Sequence, residues 1–584
     1  MKNLIRVGEA GMCLLLSVGF AHAAETVTRV PTHLPEAALK SEGMPVATVL
    51  SPELREVVVA RGALPVEGSD FEFTSYYGYN NDGAFIAPPG SAVEASKSEP
   101  DKNTYFVLKG QHGPDKKYRY GIHFLFQGHE SGLKSTGGLK RGYITRLNLD
   151  ADAAHRVTIL AGADKDGQAL PTFDGSMWYP FSQRLLFTAE LGDKGGVWQA
   201  TPDYPATVEP LHGIFGSAGY EGIQSDDQGT VWLVEDVKTD KGTNAKNALQ
   251  PSGFVYRLIP KDKSDLSKGG TLQALQVVNA DGVAIEFHAG QADADILSGD
   301  NQQLYSYGTH FKTHWVTLHD TATDGMQAFD ANASAKQKHA TPFKRPENGM
   351  FRPGSKFTEF VFTVTGDTDA RTEAADHGGF GGLMKIKQAS AAANEGTISL
   401  VLRGDAAHTG FDNLAFWSAH ELVVAEDAGD KLHTQRGRFD SLYLIDLRKD
   451  YSQPGVEPVR IMAQGRDMSA TIDSKLLELK DAYDKVAKAA KEKERAAAES
   501  AQAGADTKAA DHKDCEKHEP YMLLGMGGFQ NDGDNEITGI HIFDGDSSVE
   551  GLIGAVVPRP FHSGWRVFYT QQHGDNTTYE ILSR

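Results

Sequence analysis

The sequence predicts an all-β architecture assembled from copies of one strand-pair module, the arrangement of a β-propeller. Three observations predict it. From Phe71 onward, short β-rich runs bounded by Gly, Asp and Asn recur, such as Gly229-Thr230-Val231-Trp232-Leu233-Val234 and Glu359-Phe360-Val361-Phe362-Thr363-Val364. The chain carries 62 glycines among 584 residues, a ready supply of the tight turns that many short strands need. An acidic strand-pair pattern also reappears at irregular intervals, as propeller blades with loops of variable length would make it. Hydrophobic residues at 40% and aromatics at 9% suffice for a large core and exclude a disordered chain.

In chain order, Met1 to Ala23 reads as a secretory signal. Lys2 and Arg6 precede the apolar run from Gly11 to Val18, and Ala21-His22-Ala23 supplies a small-x-small cleavage pattern. That run is too short to span a bilayer, and no later one is long enough. A periplasmic or secreted location is therefore expected. Cleavage removes Cys13 and leaves Cys515 as the one mature thiol, so no intramolecular disulfide can form. Residues 24–70 read as an N-terminal extension with two short helical patterns. The clearer one opens at Ser51-Pro52-Glu53, an N-cap with Pro at the first helical position. The propeller domain is expected over 71–584, interrupted by a helical insertion at 473–517. There Leu476, Leu479, Tyr483 and Val486 form one apolar stripe, and Asp481–Lys485 and Asp484–Lys488 add i,i+4 pairs. The stripe fades into Ala after Lys491, which points to a solvated arm; the sequence leaves open whether that arm has a protein partner.

The acidic repeat is the most informative feature. Tyr220-Glu221-Gly222-Ile223 leads to Val231-Trp232-Leu233-Val234-Glu235-Asp236, and Phe411-Asp412-Asn413-Leu414 leads to Leu422-Val423-Val424-Ala425-Glu426-Asp427. Glu221 to Glu235 and Asp412 to Glu426 are both 14 residues apart. Arg345-Pro346-Glu347 before Val361–Asp367, Glu536-Ile537-Thr538-Gly539 before Val567–Asn576, and the shorter run ending in Glu190 are further copies. In a propeller such acids converge on the axis, where they cannot all stay ionised without cations. Glu190, Glu221, Glu235, Asp236, Glu347, Asp412, Glu426, Asp427 and Glu536 are thus candidate metal ligands, and their oxygens suit Ca²⁺, Mn²⁺ or similar hard ions. Taken singly, each acid reads equally well as a turn or solubility residue. The net charge of −20 excludes a nucleic-acid or anionic-membrane partner, yet an anionic substrate remains open if bound cations reverse the local field.

At these residues the chain resembles the PhoX-type bacterial alkaline phosphatases. The resemblance spans roughly 170–445 and 521–580. It rests on Tyr220-Glu221-Gly222, Arg345-Pro346-Glu347, Phe411-Asp412-Asn413-Leu414, Glu536-Ile537-Thr538-Gly539 and Gln572-His573-Gly574. It implies a propeller of about six blades, secretion, and hydrolysis of a small phosphoester with iron and calcium ions. It also implies metal-bridging roles for Glu221 and Glu347 and a phosphate clamp at Arg345. The family's cysteine iron ligand has no counterpart, since no cysteine lies between Cys13 and Cys515. The family's Thr-Pro-Trp-Gly-Thr run is also replaced, by Ser176-Met177-Trp178-Tyr179-Pro180. The missing cysteine, together with the lack of the twin-Arg export signal common in the family, favours calcium over iron.

On this reading the candidate catalytic residues are Arg345, Glu347 and His573, the last as proton donor to the leaving alkoxide. Arg345 reads alternatively as a salt-bridge partner of a neighbouring blade, and His573 as a strand-end histidine bonded to backbone. Two other functions stay open: a non-catalytic, calcium-stapled propeller that binds a protein or glycan, and a lactonase-like propeller hydrolase. Other chemistries fail at the motif level. Phe215-Gly216-Ser217-Ala218-Gly219 lacks the first Gly of a nucleophile elbow, and His310 and His314 lack the Glu of a zincin. The run His377–Gly382 fits a turn between strands.

Overall fold

In a computed structural model, the described residues are 31–35, 48–62, 64–67, 76–78, 98–130, 133–134, 140–190, 195–237, 240–427, 432, 435–436, 438–465, 536–572 and 576–584. The expected signal segment, the helical insertion at 473–517, Cys515 and His573 lie outside them.

Six strands line the centre: β1 (Thr104–Val107), β2 (Ser176–Tyr179), β3 (Tyr220–Ser225), β4 (Pro346–Phe351), β5 (Phe411–Phe416) and β6 (Glu536–Phe543). Each touches the next in chain order, and β6 returns to β1, so the ring closes. Each is also the first strand of an antiparallel meander running outward. The expected count of about six separate blades needs correction. Among the described residues there are five sheets of four or more strands, because β3 and β4 head opposite ends of one nine-stranded sheet. The long strand His310–Asp320 fuses them by pairing with Gly270–Val278 on one side and Glu395–Arg403 on the other.

Within 24–70, expected from sequence as an extension, the described strands Val49–Leu50, Leu54–Ala60 and Val66–Glu67 join these sheets. Leu54–Ala60, expected as a helix, is a strand paired antiparallel with Thr577–Ser583. Its consecutive β-branched Val57, Val58 and Val59 disfavour a helix, and pairing with the C-terminal strand decides the matter. Val49–Leu50 pairs with Val459–Gln464, and Val66–Glu67 runs parallel to Val157–Ala161.

Sheets buried on both faces need apolar residues at successive positions, which explains wholly buried strands such as Val231–Glu235. Between the two halves of the nine-stranded sheet the aromatics interlock: Trp232 meets Trp315 edge-on at 4.8 Å and lies 5.0 Å from Phe360. No helix among the described residues is long and apolar enough to cross a membrane.

Candidate metal centre and active site

The ring gathers one carboxylate from, or just ahead of, each inner strand: Asp101, Asp174, Glu221, Glu347, Asp412 and Glu536. Local backbone irregularity aims three of them. The register slips by one residue between Tyr220 and Ile223, between Pro346 and Gly349 and between Phe411 and Leu414, so Glu221, Glu347 and Asp412 each sit in a β-bulge. A bulge turns a side chain off the alternating pattern of its strand. Threonines from the preceding meander hold the bulges. Thr188 Oγ1 donates to the Glu221 carbonyl at 2.7 Å and Thr363 Oγ1 to the Asp412 carbonyl at 2.6 Å. Arg345, at the entry to β4, holds φ at 61°, a left-handed conformation uncommon for a non-glycine residue.

Three overlapping triads result: Asp101–Glu130–Asp174, Asp174–Glu190–Glu221 and Glu221–Glu347–Asp412. Within each, the donor oxygens lie within 4.8 Å of one another. Burial and then the Asp174 and Glu347 carboxylates push the Glu221 carboxyl far above its usual range. Asp174, Asp412 and Glu536 are raised likewise, by burial first and by neighbouring carboxylates second. Glu347 is pushed up to about 7 by burial and Asp236, against the pull of Arg345. So many buried carboxyls cannot all ionise unless positive charge joins them. The donor set is all hard oxygen and fits a cation such as Ca²⁺. Among the described residues there is no cysteine to add a thiolate.

Part of the required positive charge is built in. Lys102 is buried and donates to Asn413 Oδ1 at 2.9 Å; Asn413 Nδ2 in turn donates to Asp412 Oδ2 at 2.8 Å and Thr538 Oγ1 at 3.0 Å. The Thr538 hydroxyl donates to an Asp101 oxygen. Arg345 Nε and Nη2 donate to the two Asp236 oxygens at 2.9 and 3.0 Å, and Nη2 lies 3.1 Å from Glu347 Oε1. Burial lowers the affinity of Arg345 for its proton, but Asp236, Glu347 and Asp427 more than reverse this and hold the guanidinium charged. The interblade ion pair foreseen as an alternative is therefore present. It engages Nε and Nη2 of the side chain expected to clamp phosphate, and Nη1 is left without a partner among the described residues.

The remaining expected ligands separate into two groups. Glu536 and Asp427 stand near Asp412 and raise its neighbourhood's negative potential. Glu235 and Glu426 lie outside the three triads. Glu235 accepts from Asn332 Nδ2 at 2.9 Å and Tyr256 Oη at 2.6 Å, whereas Glu426 forms a buried pair with Arg436 at 3.0 Å. The 14-residue spacing found the right module, but the second acid of each copy is adjacent to, not at, the axis. Asp174 escaped sequence reading, as did Asp101, Lys102 and Glu130. Their copy of the module is stretched by the long connection between β1 and the strand His123–Gln127, which hides the spacing.

Beside the ring opens a cavity of about 720 Å³, lined by Glu190, Glu235, Asp236, Phe329, Asp330 and Asn332 among others. Glu190 and Asp236 belong to both the cavity and the axial site.

No family model and no curated protein sequence matches the chain. Among solved structures, Pseudomonas fluorescens PhoX in complex with vanadate is similar at 11% identity and a TM-score of 0.46, over 74% of this chain and 89% of that one. A periplasmic gluconolactonase of Pseudomonas aeruginosa is similar at 14% identity and a TM-score of 0.30, over 70% of this chain and 96% of that one. These figures bear on neither chemistry nor substrate, and the fold rests on the closed ring itself.

Proposed function

We propose that this protein is an exported, metal-dependent phosphomonoester hydrolase, with its site at the axial carboxylates. The single observation that carries the reading is the joining of three carboxylate triads to a charged, buried Arg345 beside an open cavity. Glu221, Glu347 and Asp412, with Asp174 and Glu190, would hold hard cations, calcium first. Such ions, when bound, supply Lewis acidity toward a phosphate oxygen and toward water.

The chain's own groups account for the remainder. Arg345 is oriented by Asp236 and Glu347, so the uncommitted Nη1 is a fixed donor to a phosphoryl oxygen. Hydrolysis forms a bond from water oxygen to phosphorus and breaks the bond to the alcohol oxygen, which must take up a proton. In this reading Glu347 is the proposed acceptor of the proton that water loses, and His573 is the proposed donor to the alkoxide.

The test is turnover of p-nitrophenyl phosphate before and after EDTA, with calcium or iron returned separately. Activity lost to EDTA and restored by metal supports the proposal. Arg345→Ala should lower kcat/KM by about 10²-fold, as for loss of one transition-state donor. Unchanged turnover with the fold intact removes Arg345 from the mechanism. The rival reading, in which ions only staple adjacent strands, is favoured by the way each triad bridges consecutive meanders. It predicts a calcium-dependent rise in Tm with no hydrolysis of phosphoesters, and hydrolysis of lactones alone would favour the lactonase alternative.

A further inference from the structure

We propose a second metal site, on the outer surface and of the class that takes Zn²⁺, built from Glu286, His288 and His339. It shares no residue with the axial acids and does not depend on the phosphatase reading. Its donors are two imidazoles and one carboxylate, a set that suits zinc and its transition-metal neighbours, whereas the axial donors are all oxygen. His339 Nδ1 hydrogen-bonds one Glu286 oxygen, and His288 Nε2 lies 3.8 Å from the other.

The backbone beneath these residues is fixed. Glu286 follows Ile285, whose N–H donates to the Val277 carbonyl at 2.9 Å. His339 lies just past the helix Ala331–Gln337; its N–H donates to the Lys336 carbonyl, and its own carbonyl accepts from Gln276 Nε2 at 2.6 Å. The two segments are also joined directly. Thr341 Oγ1, two residues beyond His339, donates to the carbonyl of Ile285, the neighbour of Glu286, at 2.6 Å. Behind His288 stands the buried Asp295. Its Oδ1 accepts from His288 Nδ1 at 2.7 Å, and its Oδ2 accepts from Gln250 Nε2 at 2.6 Å and from the His288 N–H at 2.8 Å. A carboxylate on one ring nitrogen fixes the tautomer and leaves the other nitrogen its lone pair, as behind a metal-bound histidine.

In the neutral ring, His288 Nε2 and the Glu286 oxygen are therefore two electron-pair donors facing one another across a gap too long for a hydrogen bond. A cation satisfies both. It also replaces the proton between Glu286 and His339 Nδ1, which shifts to Nε2 of that ring. The His288 and His339 side chains are 48% and 65% exposed, so they rotate onto one ion from a fixed backbone, and water completes the coordination. Lys336 is held over the Phe287 ring at 4.2 Å, and Glu235, Asp330 and Asp240 act on its charge. A bound ion would clamp the end of the helix whose Asn332 bonds Glu235.

The test saturates tag-free protein with calcium and then titrates it with zinc chloride in a calorimeter. One zinc ion should bind with micromolar or tighter affinity and raise Tm beyond the level reached with calcium. His288→Asn keeps an N–H for Asp295, and His339→Asn suits a backbone whose φ is 57°, so both variants should fold. Each should weaken zinc binding by about tenfold or more and leave the calcium-dependent rise in Tm unchanged. In the wild type, one equivalent of Cu²⁺ should give an electron paramagnetic resonance spectrum with nitrogen hyperfine coupling from imidazole. No zinc binding over the calcium background overturns the proposal, as does an all-oxygen copper spectrum. Zinc affinity unchanged in either variant overturns it too, and would place the ion elsewhere, such as at Cys515 and the histidines around it.

Discussion

At the scale of single residues, the axis is held together by polar groups whose protonation states are fixed by their partners. His541 on β6 shows this clearly. The Tyr105 backbone N–H donates to its Nε2 at 3.2 Å, and only a neutral imidazole can accept at that atom. Burial first, and the Lys102 charge second, depress its pKa to about 3. The unfolded chain protonates this histidine near 6.5 while the folded chain does not, so the unfolded state binds the extra proton between those values. Stability contributed by His541 is thus complete above pH 6.5 and is lost as the pH falls toward 3, by about 1.4 kcal/mol per pH unit. Urea unfolding of the wild type and His541→Gln between pH 7 and 5 should show a shallower acid loss in the variant by about that slope. Parallel curves would show that the imidazole is not the group concerned. A histidine like this is invisible in sequence, because its role comes from a backbone donor on another meander.

At the scale of elements, the bulged inner strand is the working unit, and it was the part most legible in the sequence. The pairing of an acid near one strand start with a second acid near the next strand end is real: Tyr220 pairs with Glu235, and Phe411 with Glu426. What the sequence could not convey is which of two adjacent acids faces the axis. A bulge changes the facing by one residue, and nothing in local composition marks it. The helix expected at Ser51 failed for a related reason, since a capping pattern is local and the partner strand is more than 500 residues away. Glycines show how closely the inner strands approach. A Cβ added at Gly222 on β3 would lie 2.7 Å from the Asn348 Cα and 2.9 Å from the Glu347 carbonyl oxygen on β4. These are backbone atoms, so the two strands must part. Gly222→Ala should therefore destabilise by about 1–3 kcal/mol and weaken calcium binding, because the Glu221–Glu347–Asp412 triad spans that contact. Calorimetric titration with calcium beside a melting curve checks both. A variant with normal Tm and normal calcium affinity would show that the strands tolerate the added methyl.

At the scale of the whole molecule, a ring is only as strong as its seam, and here the seam joins the two ends of the chain. Leu54–Ala60 forms the outer strand of the sheet that carries β6, pairing along Thr577–Ser583. On the inner side the seam runs through the site itself. Asn103 Nδ2 donates to the Gly539 carbonyl at 2.7 Å, and Thr538 bonds Asp101. Removing residues up to 61 would uncover the edge of Thr577–Ser583 and the surface that buried Leu54 and Ala60 now cover. An exposed edge of unpaired backbone invites association with other chains. Because β6 is held both by its own sheet and by β1, loosening the outer strand also loosens the Asp101 side of the acidic ring. A chain beginning at Gly62 should lose its cooperative thermal transition and its calcium-dependent rise in Tm, and should elute as aggregate in size-exclusion chromatography. A synthetic peptide of residues 48–60 added during refolding should restore part of both, since it supplies the missing strand in trans. If the shortened chain melts like the full-length protein, the ends do not close the ring, and the axial site must be held by the inner strands alone.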